Sequence, residues 1–249
     1  MNRKKIMFLM VSCLLLFSGC EGNGAETTEY SETENAGIWR PERETAATQL
    51  PVQTGQKLTE TDLMVRKTLV QIQAGDLQGS GVIYDEDEKS ILIVTAGHVL
   101  THDNGEILVS FPEGTQVAAS GSEMAASCDL AFLWVDKTEL PPETWEACLP
   151  VPTDRNVFDA MKAYDDVWMY GGETGMPVYA FVVEPWIYVE DFEQYMLLLQ
   201  GIAEPGMSGG GVFTEDGVFL GIICGADEEG KVAVVPYSMV ETEKPTLRP

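Results

Sequence analysis

The sequence contains few histidines, few basic residues and no cysteine spacing typical of a zinc site. Its 249 residues include 2 histidines, 5 cysteines, and 15 Lys or Arg residues against 40 Asp or Glu residues. Without a CxxC pair or a His/Cys cluster a structural zinc site has no support, and we expect neither a metal nor another cofactor. The formal net charge is −25. Because phosphate binding needs a basic footprint, we expect no nucleic acid partner.

Apolar runs long enough to span a membrane are also lacking. Three basic residues at positions 3–5 precede an apolar run at 6–17 and then Ser18-Gly19-Cys20, which is the layout of a secretory signal. The run is too short for a permanent span. Small residues before Cys20 resemble a bacterial lipoprotein signal, although Phe17 departs from the usual small aliphatic residue, and a simply cleaved signal is the alternative. Residues 1–20 therefore predict secretion across the bacterial cytoplasmic membrane and a lipid anchor on Cys20 at its outer face.

Charge and cysteine content limit the partners and the covalent framework. The negative charge repels anionic membrane surfaces and favours cationic or neutral polypeptides, so that membrane attachment would depend on the lipid. Cys13 lies in the predicted signal and Cys20 at its end. The three remaining cysteines cannot form a complete disulfide framework, and their pairing stays open. They are Cys128, Cys148 and Cys224.

The chain divides by composition into a polar segment and a domain rich in short apolar runs. Residues 21–58 are dominated by Glu, Thr, Asn, Ser and Gly, which predicts a disordered acidic tether. From 59 to 249, short apolar runs alternate with Gly, Asp, Asn and Pro, a pattern typical of an all-β sandwich or a pair of barrels. Residues 137–156 include a proline-rich stretch and are predicted to connect a first half at about 66–136 with a second at about 157–240.

A serine followed by three glycines stands out in the second half. Glycines at 209–211 offer no side chain for packing, so their backbone is expected to approach another group closely. The Ser208 hydroxyl is a weak nucleophile unless a base removes its proton. His98 ends a buried apolar run after two small residues, whereas His102 lies in a polar turn. We therefore select His98 as the candidate base, with a hydrogen-bonded core histidine as the alternative.

A buried carboxylate should orient such an imidazole and stabilise its developing charge. Asp129 opens an apolar strand, whereas most other acidic residues lie in polar, turn-like contexts. A cap at the beginning of the strand is the alternative role for this side chain. Asp129 is thus the candidate orienting group.

Five motifs in order resemble those of a known family. GSGVIY, IVTAGHVL, CDLAFLWV, GMSGGGVF and VFLGIICG are similar to the successive motifs of trypsin-like serine peptidases of the chymotrypsin fold, and most of all to their bacterial HtrA-like branch, over about 66–240. The resemblance implies an all-β fold of two six-stranded antiparallel β-barrels with the active site between them. It also implies that His98 is general base and then general acid, that Asp129 orients it, and that Ser208 forms an acyl-enzyme.

The same resemblance implies roles for the residues around Ser208. The oxyanion hole would use the N–H groups of Gly206 and Ser208, with Met207 as a further candidate. Digestive relatives carry an aspartate at the Met207 position that pairs with a newly cut N-terminus, and methionine cannot form that ion pair, so we expect no activation of this kind. Because the chain ends at Pro249, we also expect no PDZ module of the kind common in the HtrA-like branch.

Substrate specificity is predicted by alignment to the family motif. Ile202 would lie at the base of the S1 pocket with Ala203 beside it. Cys224, Gly225 and Ala226 would form the edge that pairs with the substrate backbone, and the Cys224 thiol would pack behind Asp129 or simply be a small buried group. Without a charge in the pocket, the expected P1 residue is small or medium and apolar.

Two functions follow from these patterns. The first is a serine endopeptidase that hydrolyses peptide bonds of extracytoplasmic proteins. The alternative is a catalytically inactive trypsin-like module that binds peptides or protein partners at the cell surface. The presence of all three triad residues favours the first, because a binding module does not need them.

Overall fold

The computed structural model describes residues 58–101 and 105–245. The predicted signal, nearly all of the predicted tether, Cys20 and His102 lie outside these residues. Within them, no helix has both the length and the apolar character that crossing a membrane requires.

The first half of the fold is an antiparallel sheet of seven strands. The strand order is β5-β4-β1-β2-β3-β7-β6. β3 lies between β2 and β7 and is buried along its whole length, which explains its almost continuous apolar sequence. The strands are β1 (Leu69–Ala74), β2 (Leu77–Glu86), β3 (Ser90–Thr95), β4 (Ile107–Ser110), β5 (Gln116–Ala118), β6 (Gly121–Met124) and β7 (Ala131–Asp136).

The second half is a closed antiparallel barrel of six strands. Its order around the barrel is β10-β13-β12-β11-β8-β9. Apolar side chains of all six strands fill its interior. The strands are β8 (Asp166–Tyr170), β9 (Val178–Val189), β10 (Gln194–Gly201), β11 (Gly211–Phe213), β12 (Phe219–Ala226) and β13 (Lys231–Pro236).

The predicted all-β double-barrel class is confirmed, with one difference in the first half. There the structure has seven strands in place of six, and no ladder joins the outer strands β5 and β6 within the described part of the chain. Both outer strands are short and largely solvent-facing, so they bury little surface that would drive closure. The result is a curled sheet beside a closed barrel.

Short helices connect and flank the two sheets. α1 (Glu60–Arg66) begins with a capping box, because Thr59 and Asp62 each accept a hydrogen bond from the other's backbone N–H. α2 (Pro142–Ala147) and α3 (Arg155–Asp159) lie in the connection between the halves, and α4 (Tyr237–Glu243) follows β13. Short 3-10 helices occupy Gly97–Leu100, Lys137–Glu139 and Glu190–Phe192.

Candidate active site

Two adjacent strands bring His98 and Asp129 together. His98 lies in the 3-10 helix that follows β3, and Asp129 lies just before β7. Because β3 and β7 pair antiparallel, with Thr95 opposite Ala131, the end of one strand meets the beginning of the other. His98 Nδ1 is 2.8 Å from Asp129 Oδ2, and the His98 backbone N–H donates to Asp129 Oδ1 at 2.8 Å. The carboxylate thus holds both the ring and the backbone of the histidine.

Small residues before His98 make room for this pairing. A methyl group at Gly97 would lie 3.0 Å from Asp129 Oδ1, and Ala96 is fully buried. The side chains of His98 and Asp129 remain 19% and 18% exposed. With Nδ1 facing the carboxylate, the tautomer that carries its proton on Nδ1 is favoured, and Nε2 is then available to accept a proton.

Ser208 follows a tight turn whose shape depends on glycine. The Met207 N–H donates to Glu204 O at 3.1 Å across Pro205 and Gly206. Gly206 has φ +86°, which together with proline before it is the signature of a type II turn. A methyl group at Gly206 would have only ordinary contacts, the nearest at 3.6 Å. The positive φ, and not a lack of space, therefore requires glycine here.

The turn also determines which amides can face a substrate. Met207 N–H is already bonded to Glu204 O, and the Met207 side chain is 2% exposed, so the suggested third oxyanion donor is not available. For Gly206 and Ser208, no internal acceptor of the backbone N–H is found among the described residues. These two N–H groups are the ones free to bind an oxyanion.

Gly209 and Ser208 hold this turn against the first sheet. A methyl group at Gly209 would lie 2.0 Å from Ser80 O and 3.1 Å from Ala96 N, so the chain after Ser208 packs directly against the segment that leads to His98. The Ser80 N–H donates to Ser208 O at 2.8 Å. Within the described residues no hydrogen bond joins the Ser208 hydroxyl to His98; in free enzymes such bonds are often long and tighten when substrate binds.

The predicted specificity residues differ in their exposure and in their backbone pairing. Ile202 is 58% exposed, which is wrong for the base of a closed pocket, because the chain has just left the barrel at the end of β10. Ala203 is partly buried. Gly225 and Ala226 pair with β13, whereas the β11 ladder ends at Ile222, so one backbone edge of this part of β12 is open, as an edge strand requires.

The three cysteines of the described chain are free thiols. Cys224 is buried, and its Sγ lies 3.5 Å from Asp129 O, so the thiol packs against the segment that carries the carboxylate. Burial, with the negative charges of Glu243 and Asp129, raises the pKa of Cys128 to about 12. Burial also raises the pKa of Cys148 to about 12. Neither thiol is therefore an activated nucleophile.

One cavity is lined by residues that contact the turn and not by the turn itself. It measures about 440 Å³ and lies between the first sheet and residues 171–175. No triad candidate lines it, but Ser80, Gly171 and Gly172 do. Ser80 was not singled out from the sequence, although it belongs to the quoted motif GSGVIY, because a serine in a strand carries no local signal of its hydrogen-bond partners.

Comparisons with known proteins bear on the family and the fold. Residues 79–222 match the protein-family model described as "Trypsin-like peptidase domain". The inactive form of a serine-to-alanine mutant of Rv3671c from M. tuberculosis superposes with a TM-score of 0.58 at 19% identity, over 74% of this chain and 88% of that chain. The active form of the Rv3671c protease superposes with a TM-score of 0.59 at 20% identity, over 74% and 82%. No curated protein matches the chain. At these identities the structural likeness establishes the fold.

Proposed function

The chain belongs to the trypsin-like peptidase family and is a serine endopeptidase, and on that premise we propose that His98, Asp129 and Ser208 are its catalytic triad. The observation that carries the proposal is the pair of hydrogen bonds between His98 and Asp129. Asp129 Oδ2 lies 2.8 Å from His98 Nδ1, and Asp129 Oδ1 accepts the His98 backbone N–H at 2.8 Å. A histidine that merely filled the core would not need a carboxylate to fix its tautomer. The packing of Gly209 near Ala96 supports Ser208 as the third member.

In the acylation step Ser208 Oγ attacks the scissile carbonyl carbon, and His98 Nε2 accepts the hydroxyl proton. The imidazolium that forms is stabilised by Asp129, whose Oδ2 accepts a hydrogen bond from Nδ1–H and does not take the proton. The carbonyl oxygen becomes an oxyanion held by the N–H groups of Gly206 and Ser208. His98 then gives its proton to the leaving amine, the C–N bond breaks, and an ester to Ser208 remains.

In the deacylation step water replaces the departed amine. His98 removes a proton from the water as its oxygen attacks the ester carbon, and the same two amides hold the second oxyanion. The ester bond breaks, the proton passes to Ser208 Oγ, and the carboxylic acid product leaves. No metal or cofactor is required in either step.

An activity-based probe tests the triad. We expect a fluorophosphonate to label the wild-type protein at Ser208, and Ser208→Ala to be unlabelled at equal thermal stability. Ser122→Ala, at an exposed serine on β6, is the matched control and should be labelled like the wild type. A folded wild type that resists the probe and hydrolyses no peptide would contradict the proposal and favour a peptide-binding module.

We also propose that the substrates are extracytoplasmic polypeptides that bind as an added strand along Gly225 and Ala226. The open backbone edge of β12 supports this mode of binding. Because position 203 carries an uncharged alanine, we expect a small or medium apolar P1 residue. Cleavage-site profiling on a peptide library tests both points, since a strong preference for a charged P1 residue would overturn the second.

The proposed location outside the cytoplasmic membrane and the proposed lipid anchor on Cys20 both rest on the N-terminal sequence. Secretion of a peptidase with the HtrA-like motif order would place it among envelope proteins, its proposed substrates. Metabolic labelling with a fatty acid in a bacterial host tests the anchor. We expect label and membrane association in the wild type and neither in Cys20→Ala, while a secreted, unlabelled wild type would favour a simply cleaved signal.

A further inference from the structure

Ser80 joins three separate parts of the site through one buried residue. It lies in β2 and is 1% exposed. Its hydroxyl oxygen accepts the Gly172 N–H at 2.7 Å and donates its proton to Gly206 O at 2.8 Å. Its backbone N–H donates to Ser208 O at 2.8 Å, and its backbone O accepts the Thr95 hydroxyl at 2.7 Å. Every polar group of Ser80 is therefore bonded.

These bonds fix two carbonyl groups of the turn that carries the nucleophile. The Gly206 carbonyl belongs to the 206–207 peptide, whose N–H at Met207 is bonded to Glu204 O. The Ser80 hydroxyl holds the opposite side of the same peptide. With both sides held, the plane of this peptide is set, and Gly206 is anchored next to Gly172.

The turn needs such an anchor because glycine alone does not determine its form. A type I turn and a type II turn share the bond between their outer residues but differ by roughly half a turn of the central peptide. That central peptide carries the Gly206 N–H. Glycine adopts negative and positive φ about equally well, so the sequence permits either orientation. The two forms point this N–H in roughly opposite directions, and the proposed oxyanion hole uses the direction that it has in the type II form observed here.

We infer that Ser80 is a positioning residue whose hydroxyl holds the 204–207 turn in its type II form and so aligns the Gly206 N–H with the developing oxyanion. The inference rests on the proposed function, since it names a support for the oxyanion hole. Ser80 touches no reacting atom and acts through Gly206. Its backbone bond to Ser208 would persist in any variant, so the role belongs to the hydroxyl.

The variant Ser80→Ala removes the hydroxyl and leaves the backbone bond to Ser208. We expect kcat for a peptide substrate to fall about 10- to 100-fold while KM changes less than about two-fold, because the lost alignment matters in the transition state. A peptide aldehyde, which forms an oxyanion on Ser208, should bind more weakly by a similar factor. The pH dependence of kcat should keep its midpoint, since His98 and Asp129 are untouched.

Thr68→Val is the control for the loss of a buried hydroxyl, because it deletes the bond from Thr68 Oγ1 to Val65 O at 2.7 Å, whereas Ser80→Ala deletes the two bonds of the Ser80 hydroxyl. We expect it to lower the unfolding temperature as Ser80→Ala does and to leave kcat unchanged. Equal kcat in the two variants, or a loss confined to KM, would overturn the role of Ser80.

A crystal structure of Ser80→Ala gives a readout that does not depend on activity. We expect the 205–206 peptide to be turned over or present in two orientations, and a single type II turn with Gly206 O in its original place would overturn the inference. Failure of the proposed function would look different, since the wild type itself would then neither react with the fluorophosphonate nor hydrolyse peptides.

Discussion

Single atoms decide which groups of the nucleophile turn are chemically available. Met207 and Gly206 are neighbours, yet the N–H of Met207 is bonded to Glu204 O while that of Gly206 finds no internal acceptor in the described structure. The Met207 N–H is bonded because it closes the turn, whereas the positive φ of Gly206 goes with the orientation of the central peptide and so decides where the free Gly206 N–H points. A substitution that tests the site should therefore disfavour the positive φ of Gly206 without introducing a steric clash.

Gly206→Ala makes that change, because a Cβ would meet its nearest neighbour only at 3.6 Å. We expect the turn to move towards type I and the N–H to leave the oxyanion hole, lowering kcat by about 10²- to 10³-fold in steady-state assays. Gly114→Ala is the matched control, since Gly114 also has a positive φ, with no atom within 4 Å of an added Cβ. It should lose similar stability and keep its activity. Full activity in Gly206→Ala would contradict the assigned donor.

The thiol of Cys128 offers a second prediction at this scale. Burial and the charges of Glu243 and Asp129 raise its pKa to about 12, so very little thiolate exists near neutral pH. We expect iodoacetamide to alkylate Cys128 at least ~100-fold more slowly in the folded protein than in urea, as measured by mass spectrometry. Cys148, whose pKa is also about 12, should behave alike. Equal rates in the folded and unfolded protein would argue against the described environment.

Among the elements, α1 docks on the second barrel through a buried carboxylate. The Tyr170 hydroxyl donates to Asp62 Oδ1 at 2.6 Å, and the Thr59 N–H and hydroxyl donate to Asp62 Oδ2 at 2.6 and 2.8 Å. Tyr170 ends β8 directly before Gly171, which packs against Met207. Helix α1 is thus linked, through Tyr170 and Gly171, to the nucleophile turn.

This docking predicts a pH-dependent contribution to stability. Burial raises the pKa of Asp62, but the bonds from Tyr170 and Thr59 outweigh it and leave the pKa below its usual value. The folded state therefore favours the carboxylate, whose stabilisation is complete above the ordinary value near 3.8 and is lost as the pH falls through the lower folded value. We expect Asp62→Asn to cost about 1–2 kcal/mol at pH 7 and progressively less in acid, as measured by urea unfolding.

Glu215→Gln is the control for this measurement, because it neutralises an exposed carboxylate in the turn before β12. It should change the free energy of unfolding little at either pH. A deficit in Asp62→Asn that stays constant from pH 7 into acid would show that shape, and not charge, is what Asp62 supplies.

For the whole molecule, the dominant physical property is the net charge of −25. Such a field attracts cationic segments over distances that salt shortens. We expect kcat/KM for a peptide with lysines outside the cleaved bond to exceed that of its glutamate counterpart at low ionic strength. The ratio should approach one as sodium chloride is raised, and a ratio independent of salt would mean that the field does not steer substrates.

Much of the architecture follows from the order of residues along the chain. The apolar run of β3 predicts a central buried strand, and the small residues after it predict space around His98. The contact between Asp129 and His98 was anticipated from chemistry alone, because an imidazole base needs a carboxylate. The strands β5 and β6 were not predicted from the apolar runs, because both are short and polar and therefore carry little periodic signal.

The site was anticipated less completely where contacts cross between the halves. Ser80 and Gly206 are 126 positions apart, and nothing in either segment indicates that the hydroxyl meets the carbonyl. Ile202 has an apolar side chain that suits a pocket, yet its exposure depends on where β10 leaves the barrel. Such features arise from the packing of distant segments, and local residue types do not specify them.

By itself, then, the amino-acid sequence determined the apolar strands, the all-β class and the residue types capable of acyl transfer, because burial patterns and side-chain chemistry are local properties. Only the tertiary structure decided that Met207 N–H is occupied, that Ile202 faces solvent, and that Ser80 holds the turn. Hydrogen bonds between remote segments have no local signature, since each of their partners could be satisfied equally well by water until the fold brings them together.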